Sequence, residues 1–288
     1  MNLLRAFRYV RGVSRAVRRG DTFPPAGRVP AKDAPGGTTR TLLRHGRKEL
    51  DNIEISEHVV PVRGLAKPVT ILHLTDVHLR VHDAWVERLA DVVRKERPDL
   101  VALTGDVVTR GWKPDAVDHL LGALPDAPLG RWAVMGNWEY WAGAPREVWE
   151  PILTKHDVGL LNNRVVPLDG FDLVGTDDLL AGEPDLPGVF AALRPEVPAL
   201  LLTHSPGIFP MLAKPPVRLV LAGHTHGGQV RIPVLGPFFL PRGSGAYPWG
   251  WYEMEGVHLF VSRGLGWSVA PVRWHCPPEV ARIRMVPA

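Results

Sequence analysis

Five short apolar runs in this chain each end in a side chain that can bind a metal. PVTILHLT runs into Asp76-Val77-His78, DLVALT into Gly105-Asp106, WAVM into Gly136-Asn137, ALLLT into His204, and VLA into Gly223-His224-Thr225-His226. One such ending is ordinary, because a solvated turn needs polar residues. Together, and in this order, they offer four imidazoles, two carboxylates and one amide carbonyl. A mixed nitrogen and oxygen set of this kind suits Mn, Fe or Zn. Seven ligands exceed what one tetrahedral ion uses. Two divalent ions sharing a bridging carboxylate use them naturally, and Asp106 has the two oxygens and the charge for that position. The single cysteine, Cys276, excludes an internal disulfide and a thiolate zinc finger.

Side chains scattered over some 150 positions can meet only if the elements carrying them are aligned. The apolar runs have the length and β-branched content of buried strands, and sites in open α/β sheets gather beyond the carboxyl ends of strands. Amphipathic segments lie between them, with a helix expected over Ala84 to Arg97 (Trp85, Leu89, Val92 and Val93 on one face) and another over Asp115 to Leu124. The first strand is expected at His58 to Val62. The later runs VHLFVSRGLG and ARIRMV read as strands, so the pattern is α/β with an added β portion. Gly105, Gly136, Gly223, Gly227 and Gly228 stand beside the candidate ligands, where the backbone must turn sharply or be closely approached.

Charge is distributed unevenly. Of 34 Lys and Arg, 12 fall in residues 1–50, against 3 of the 30 Asp and Glu, so the basicity belongs to an N-terminal arm. Within residues 1–20, Arg5, Arg8, Arg11, Arg15, Arg18 and Arg19 share one helical face, while Leu3, Phe7, Val10, Val13 and Val17 share the other. The expectation is a basic amphipathic helix lying on an anionic membrane surface. Docking of the helix on its own domain is the second reading. Nucleic acid comes third, since no aromatic stacking platform accompanies the arginines. No apolar run approaches the roughly 18 residues of a membrane span, and the Arg18-Arg19 pair precedes no apolar segment of an export signal. Residues 21–50, rich in Pro and Gly, read as a linker, with the globular domain over 51–288. The expected location is cytoplasmic, peripheral on the inner membrane face.

The ordered set DVH, GD, GN, a lone His and GHTH resembles the calcineurin-like metallophosphoesterases, from Val69 to the C-terminal strands. GHTHGGQVRIPVLGP, then SRGLGWSVAPVR and PPE, resembles a bacterial branch that includes membrane-associated phosphoesterases and UDP-2,3-diacylglucosamine hydrolases. The resemblance implies a four-layer sandwich, two mixed β-sheets flanked by helices. It also implies one metal held by Asp76, His78 and His226, a second held by Asn137, His204 and His224, and Asp106 bridging. Asp106, Asn137 and His204 are then catalytic as well as ligating. Two such ions neutralise the anionic oxygens of a phosphate group and acidify a bridging water. The expected reaction is in-line attack on a phosphodiester or pyrophosphate by the bridging hydroxide, with no covalent enzyme intermediate.

Trp138 departs from the family pattern, in which many members carry a His that protonates the leaving oxygen or orients the phosphate. An indole N–H can donate a hydrogen bond but cannot titrate. An alkoxide leaving group gains typically ~10²- to 10⁴-fold from general acid catalysis, whereas a phosphate leaving group needs much less. Trp138 therefore favours anhydrides or activated diesters over alkyl monoesters. Arg80 and His82 are the candidate replacements as phosphate contacts. Glu139 reads either as a carboxylate orienting a metal ligand or as a surface residue at a helix start. The stretch GPFFLPRGSGAYPWGWY sets Arg242 among Phe238, Phe239, Leu240, Tyr247, Trp249 and Trp251, which suits a lipid-linked substrate with Arg242 near its head group or, alternatively, a core under a turn. Two rival functions remain: a small-molecule or nucleic-acid phosphodiesterase, and a catalytically weak metal-binding scaffold.

Overall fold

The computed structural model describes residues 46–268 and 270–288. The expected helix over 1–20 and most of the 21–50 segment lie outside the described residues. The end of that segment differs from a linker: residues 46–50 are helical and Leu50 is buried. Leu50 O accepts a 2.9 Å hydrogen bond from Trp85 Nε1, and Glu49 accepts from the backbone N–H of His275 and Cys276. An apolar anchor and a capping carboxylate thus join this stretch to the globular body.

Two six-stranded sheets carry the fold. The first holds β1 (Glu54–Val62), β2 (Val69–Leu74), β3 (Leu100–Thr104), β4 (Arg131–Val134), β5 (Val158–Leu160) and β14 (Glu279–Pro287), ordered β1-β14-β2-β3-β4-β5. The second holds β6 (Arg164–Leu168), β7 (Phe171–Gly175), β8 (Ala199–Leu202), β9 (Val217–Ala222), β12 (Gly250–Met254) and β13 (Val257–Val261), ordered β12-β13-β9-β8-β7-β6. A small hairpin of β10 (Arg231–Ile232) and β11 (Gly236–Pro237) projects between β9 and β12. Both sheets are mixed: β14 runs antiparallel to β2, and β6 and β12 run antiparallel to their neighbours. The first strand starts earlier than expected, at Glu54, because Glu54 to Glu57 continue the pairing with β14, from Glu54 beside Glu279 to Glu57 beside Arg282.

Strand side chains alternate between faces, and that alternation makes the layers. Ile71, Leu100 and Ala102 of the first sheet pack against Leu173, Leu200, Leu202, Leu219 and Leu221 of the second. Their neighbours Leu72, Val101 and Leu103 face the opposite way, onto α1 (Ala84–Val93), α2 (Pro114–Gly122) and α4 (Arg146–Lys155), α3 (Asn137–Trp141) being a short turn before the last. On the far side Leu201, Val220 and Leu259 meet α5 (Leu186–Ala191) and α6 (Phe209–Leu212). The result is the four-layer sandwich, each fully buried aliphatic side chain contributing about 1.5–3 kcal/mol against the cost of ordering the chain. Asp83 caps α1 by accepting from Trp85 N and Val86 N at 3.0 and 3.1 Å. That helix stops at Val93, short of the expected Arg97, since Pro98 biases the residue before it away from helical angles. Among the described residues no helix is long and apolar enough to cross a membrane.

Candidate metal centre

The five motif-bearing strands are neighbours: β2, β3 and β4 in one sheet, β8 and β9 in the other. Their ends are in register, Leu74 beside Leu103, Thr104 beside Val134, and Leu202 beside Leu221, so all five loops emerge on one edge of the sandwich. There the backbone turns within a single residue. Asp76, His78, Asp106, His224 and His226 all adopt left-handed angles, with φ of 54°, 53°, 53°, 70° and 51°. Such angles cost non-glycine residues of order 1–3 kcal/mol each and persist only where the surroundings hold them. Here the loops hold one another: Asp76 N donates to Gly105 O at 3.0 Å, His78 N to Asp106 O at 3.0 Å, and Leu79 N to Val107 O at 2.8 Å.

Two triads result, Asp76 with His78 and His226, and Asp106 with His204 and His224, and the ligand atoms of each lie within 4.8 Å of one another. In the first, His78 Nε2 is 2.9 Å from His226 Nε2, which is 3.4 Å from Asp76 Oδ1. In the second, His204 Nε2 is 3.2 Å from Asp106 Oδ2 and 3.1 Å from His224 Nδ1. Asp106 Oδ2 also lies 3.7 Å from His78 Nε2, so a single oxygen faces both triads. Its other oxygen is taken, accepting from Trp138 N at 2.8 Å. Asn137 Oδ1 is buried and has no hydrogen-bond partner. A buried carbonyl in that state is costly, and a cation supplies what it lacks. The tautomers agree with ligation: His204 Nδ1–H donates to Thr104 O at 2.8 Å and His224 Nε2–H to Arg242 O at 2.6 Å, leaving the opposite nitrogens for the site. Each cluster therefore has the donor set and unsatisfied lone pairs that a divalent ion requires.

Supporting residues set this geometry. A Cβ on Gly136 would collide with Asp106 Oδ1, and one on Gly223 with Thr75 and Asp76. Glu139 is fully buried, and of its two readings the orienting one holds. Its carboxylate accepts from Asp106 N (2.9 Å), Val107 N (2.7 Å), Val108 N (3.2 Å) and Gly136 N (2.7 Å), clamping the β3 and β4 loops together. Thr225 accepts from Gly227 N at 3.1 Å and so caps the short turn carrying His226. Sequence reasoning overlooked Arg273. It is fully buried, with its guanidinium 3.4 Å from His226 Nδ1, and it donates to the carbonyls of Gly266, Arg263 and Cys276. Nothing in the local sequence distinguishes it from a surface arginine; only its partners, dispersed over the C-terminal loop, do so.

Burial governs the protonation of the cluster. It pushes the His78 and His224 rings down to about 4 and His226 well below its ordinary value, so these rings are neutral near pH 7 with lone pairs available. Burial also lifts the Asp76 carboxyl to about 7, against the pull of His204 and helped by the like charge of Asp106. For Asp106 burial works the same way but is outweighed by His204 and the other imidazoles, which hold its carboxyl below the usual range. For His204 its own desolvation is outweighed by Asp106 and Asp76, which raise it, so a cation at this triad would displace the proton that Asp106 otherwise holds on its Nε2.

The expected substrate contacts divide. Trp138 is half-buried at the site, its ring edge-on to His78 with centroids 5.7 Å apart. Arg80 lies with its guanidinium 4.1 Å over the Trp267 ring, in the wall of a cavity of about 450 Å³ that His78, Trp85 and Leu50 also line. Arg242 reaches the centre through its backbone carbonyl on His224, and its side chain is exposed. His82 has its Nε2 2.5 Å from Glu87 Oε1 and its ring packed on His119, in a cluster beside α1 and α2.

This geometry coincides with a family assignment. Residues 69–228, more than half of the chain, match the model of the calcineurin-like phosphoesterases, and the chain belongs to that family. It is 31% identical to the uncharacterized metallophosphoesterase YkuE of Bacillus subtilis over 73% of this chain and 76% of that one. To the phosphodiesterase YaeI of Escherichia coli it is 32% identical, covering 77% and 83% respectively. To the UDP-2,3-diacylglucosamine pyrophosphatase LpxG of Chlamydia trachomatis it is 26% identical, covering 74% and 82%. The protein is accordingly a metal-dependent phosphoester hydrolase.

Proposed function

We propose that the chain cleaves a pyrophosphate or activated diester bond of a lipid-linked substrate with two divalent ions. Asp76, His78 and His226 would hold one ion, Asn137, His204 and His224 the other, and Asp106 both. The single observation that carries this reading is Asp106 Oδ2 facing both triads, with the orphaned Asn137 carbonyl beside it. Bound there, the ions supply charge neutralisation and an acidified water. The chain's own residues do the rest. Trp138 fixes Asp106 through its backbone N–H and presents a ring that cannot deliver a proton, which favours a phosphate leaving group. Arg80, in the cavity wall beside His78, would take the charge of that leaving phosphate.

The lipid part of the reading rests on three supports. The LpxG relatives carry the name of a diacylglucosamine pyrophosphatase. Val234 and Leu235, fully and largely exposed at 105% and 79%, form the tip of the β10–β11 hairpin, and Phe239 is 43% exposed just beyond it. Farther along this segment, the Arg242 carbonyl touches His224, so the apolar surface is continuous in sequence with the centre. A basic amphipathic helix at 1–20 would bring the site to the cytoplasmic face of an anionic membrane.

A substrate panel with Mn present tests the proposal, comparing an alkyl monoester, a lipid-free diester and a UDP-linked lipid pyrophosphate. The lipid pyrophosphate should exceed the monoester in kcat/KM by at least ~10²-fold, the low end of what a missing general acid costs an alkoxide leaving group. Equal or better turnover of the monoester, or of the lipid-free diester, would overturn it.

A further inference from the structure

A second cluster of metal-binding side chains lies outside the centre, where three segments meet. His82 comes from the loop after β2, Glu87 from the first turn of α1, and His119 from the last turn of α2. Their ligand atoms fall within 4.8 Å of one another. The two rings lie tilted against each other with centroids 4.2 Å apart and planes 30° from parallel, and the Nε2 atoms of both approach the same carboxylate. Glu87 Oε1 is 2.5 Å from His82 Nε2, and Oε2 is 3.0 Å from His119 Nε2.

A carboxylate between two imidazoles is satisfied without a metal if each ring nitrogen donates an N–H to it. The His82 contact has that geometry. The His119 contact does not: its Nε2 is buried and makes no hydrogen bond, although the carboxylate oxygen is only 3.0 Å away. The oxygen lies off the axis along which that nitrogen would donate, and a cation seated on the axis can take the imidazole and the carboxylate together. Two imidazoles and a carboxylate make up one of the common three-residue zinc sets, with water in the fourth position. Tetrahedral zinc with bonds of ~2.0–2.1 Å spaces its ligand atoms about 3.3 Å apart. The observed 2.5 and 3.0 Å reach that spacing by an opening of less than an ångström, small for side chains that are 25–49% exposed.

We infer that His82, Glu87 and His119 form a third divalent metal site, selective for zinc-like ions, which ties the loop over residues 79–83 to α1 and α2. That loop carries Arg80 into the wall of the cavity beside His78. Occupancy would therefore stiffen one side of the cavity without a ligand from the main centre.

The test uses the full-length protein, stripped of metal and equilibrated with zinc, with bound metal counted by elemental analysis. Wild type should hold about one equivalent more per chain than Glu87→Gln or His119→Ala, with zinc affinity at that site falling by more than ~100-fold, beyond the loss expected for an outer-shell partner. Zinc should also slow amide exchange over residues 79–83 in wild type and leave it unchanged in His119→Ala. A background carrying both Asp76→Asn and Asp106→Asn separates this site from the main centre, because the equivalent that depends on His119 must survive there. Equal zinc content in wild type, Glu87→Gln and His119→Ala would overturn the inference, whatever the fate of the main centre.

Discussion

Adding one methyl group at Gly136 should disable the centre while leaving the fold intact. Gly136 has φ −100° and ψ −177°, extended angles open to any residue, so Gly136→Ala introduces no backbone penalty. The effect is steric. The new Cβ would overlap Asp106 Oδ1, stand 2.6 Å from Asp106 N, and stand 2.9 Å from His204 Cε1. Comfortable contacts begin near ~3.5 Å, so Asp106 or the β4 loop must retreat by the better part of an ångström. Asp106 cannot move alone, because Trp138 N holds one of its oxygens and Glu139 holds its backbone. Overpacking of this kind costs about 1–3 kcal/mol of stability. A displacement near 1 Å at the reacting centre costs on the order of 10²-fold in rate. Urea denaturation and steady-state hydrolysis with Mn would measure both. Gly122→Ala, at the end of a helix with the nearest atom an ordinary 3.9 Å away, should leave the rate unchanged and stability equal or raised by up to about 1 kcal/mol. Wild-type kcat/KM within about twofold in Gly136→Ala, with stability within about 0.5 kcal/mol, would refute the steric account.

Asp106→Asn should abolish hydrolysis while keeping the circular dichroism spectrum, because it removes the charge shared by both triads; turnover retained in that variant would remove Asp106 from the bridging position. Glu139→Gln leaves two of four clamped backbone N–H groups facing an amide NH₂ and should lower metal affinity by about 10- to 100-fold, read by competition with a chelating dye. His73, fully buried against Thr104, is pushed down to about 4 by burial, below its unfolded value of 6.5. The unfolded chain therefore binds more protons between those values, and stability falls as pH drops through that window. The loss from this residue should be about 2 kcal/mol between pH 7.5 and pH 5 in denaturant titrations, and His73→Gln should flatten the slope. Deletion of residues 1–20 should release the protein from anionic liposomes in a sedimentation assay, and undiminished binding would remove that segment from the membrane reading.

The site was largely legible before folding because its chemistry is written at strand ends. A polar ligand directly after a buried apolar run is a local signal, and parallel strands place such ends on one edge. Asp76, His78, Asp106, Asn137, His204, His224 and His226 are all brought to that edge by the structure. The four layers were implied by the family resemblance; the apolar runs by themselves asked only for cover on both faces of their strands.

What the sequence could not decide depends on direction and partnership. Glu139 and His82 each follow a candidate metal-ligand motif by a few residues, and on paper neither shows its partners. One is fully buried and accepts four backbone N–H groups; the other turns to Glu87 and His119. Arg273 is separated by 47 residues from His226 and is brought beside it only by the return of the C-terminal loop. A left-handed turn at a ligand is compatible with Asp and His, which favour positive φ more than most residues, but their identity alone does not say which of them adopts it. The sequence by itself determined which residues have the donor atoms for metal chemistry and that their strands are buried, because hydrophobic period and residue type are local properties. Only the tertiary structure decided which oxygen of Asp106 faces both triads, and what holds it there, because those depend on backbone N–H groups from a neighbouring strand's loop.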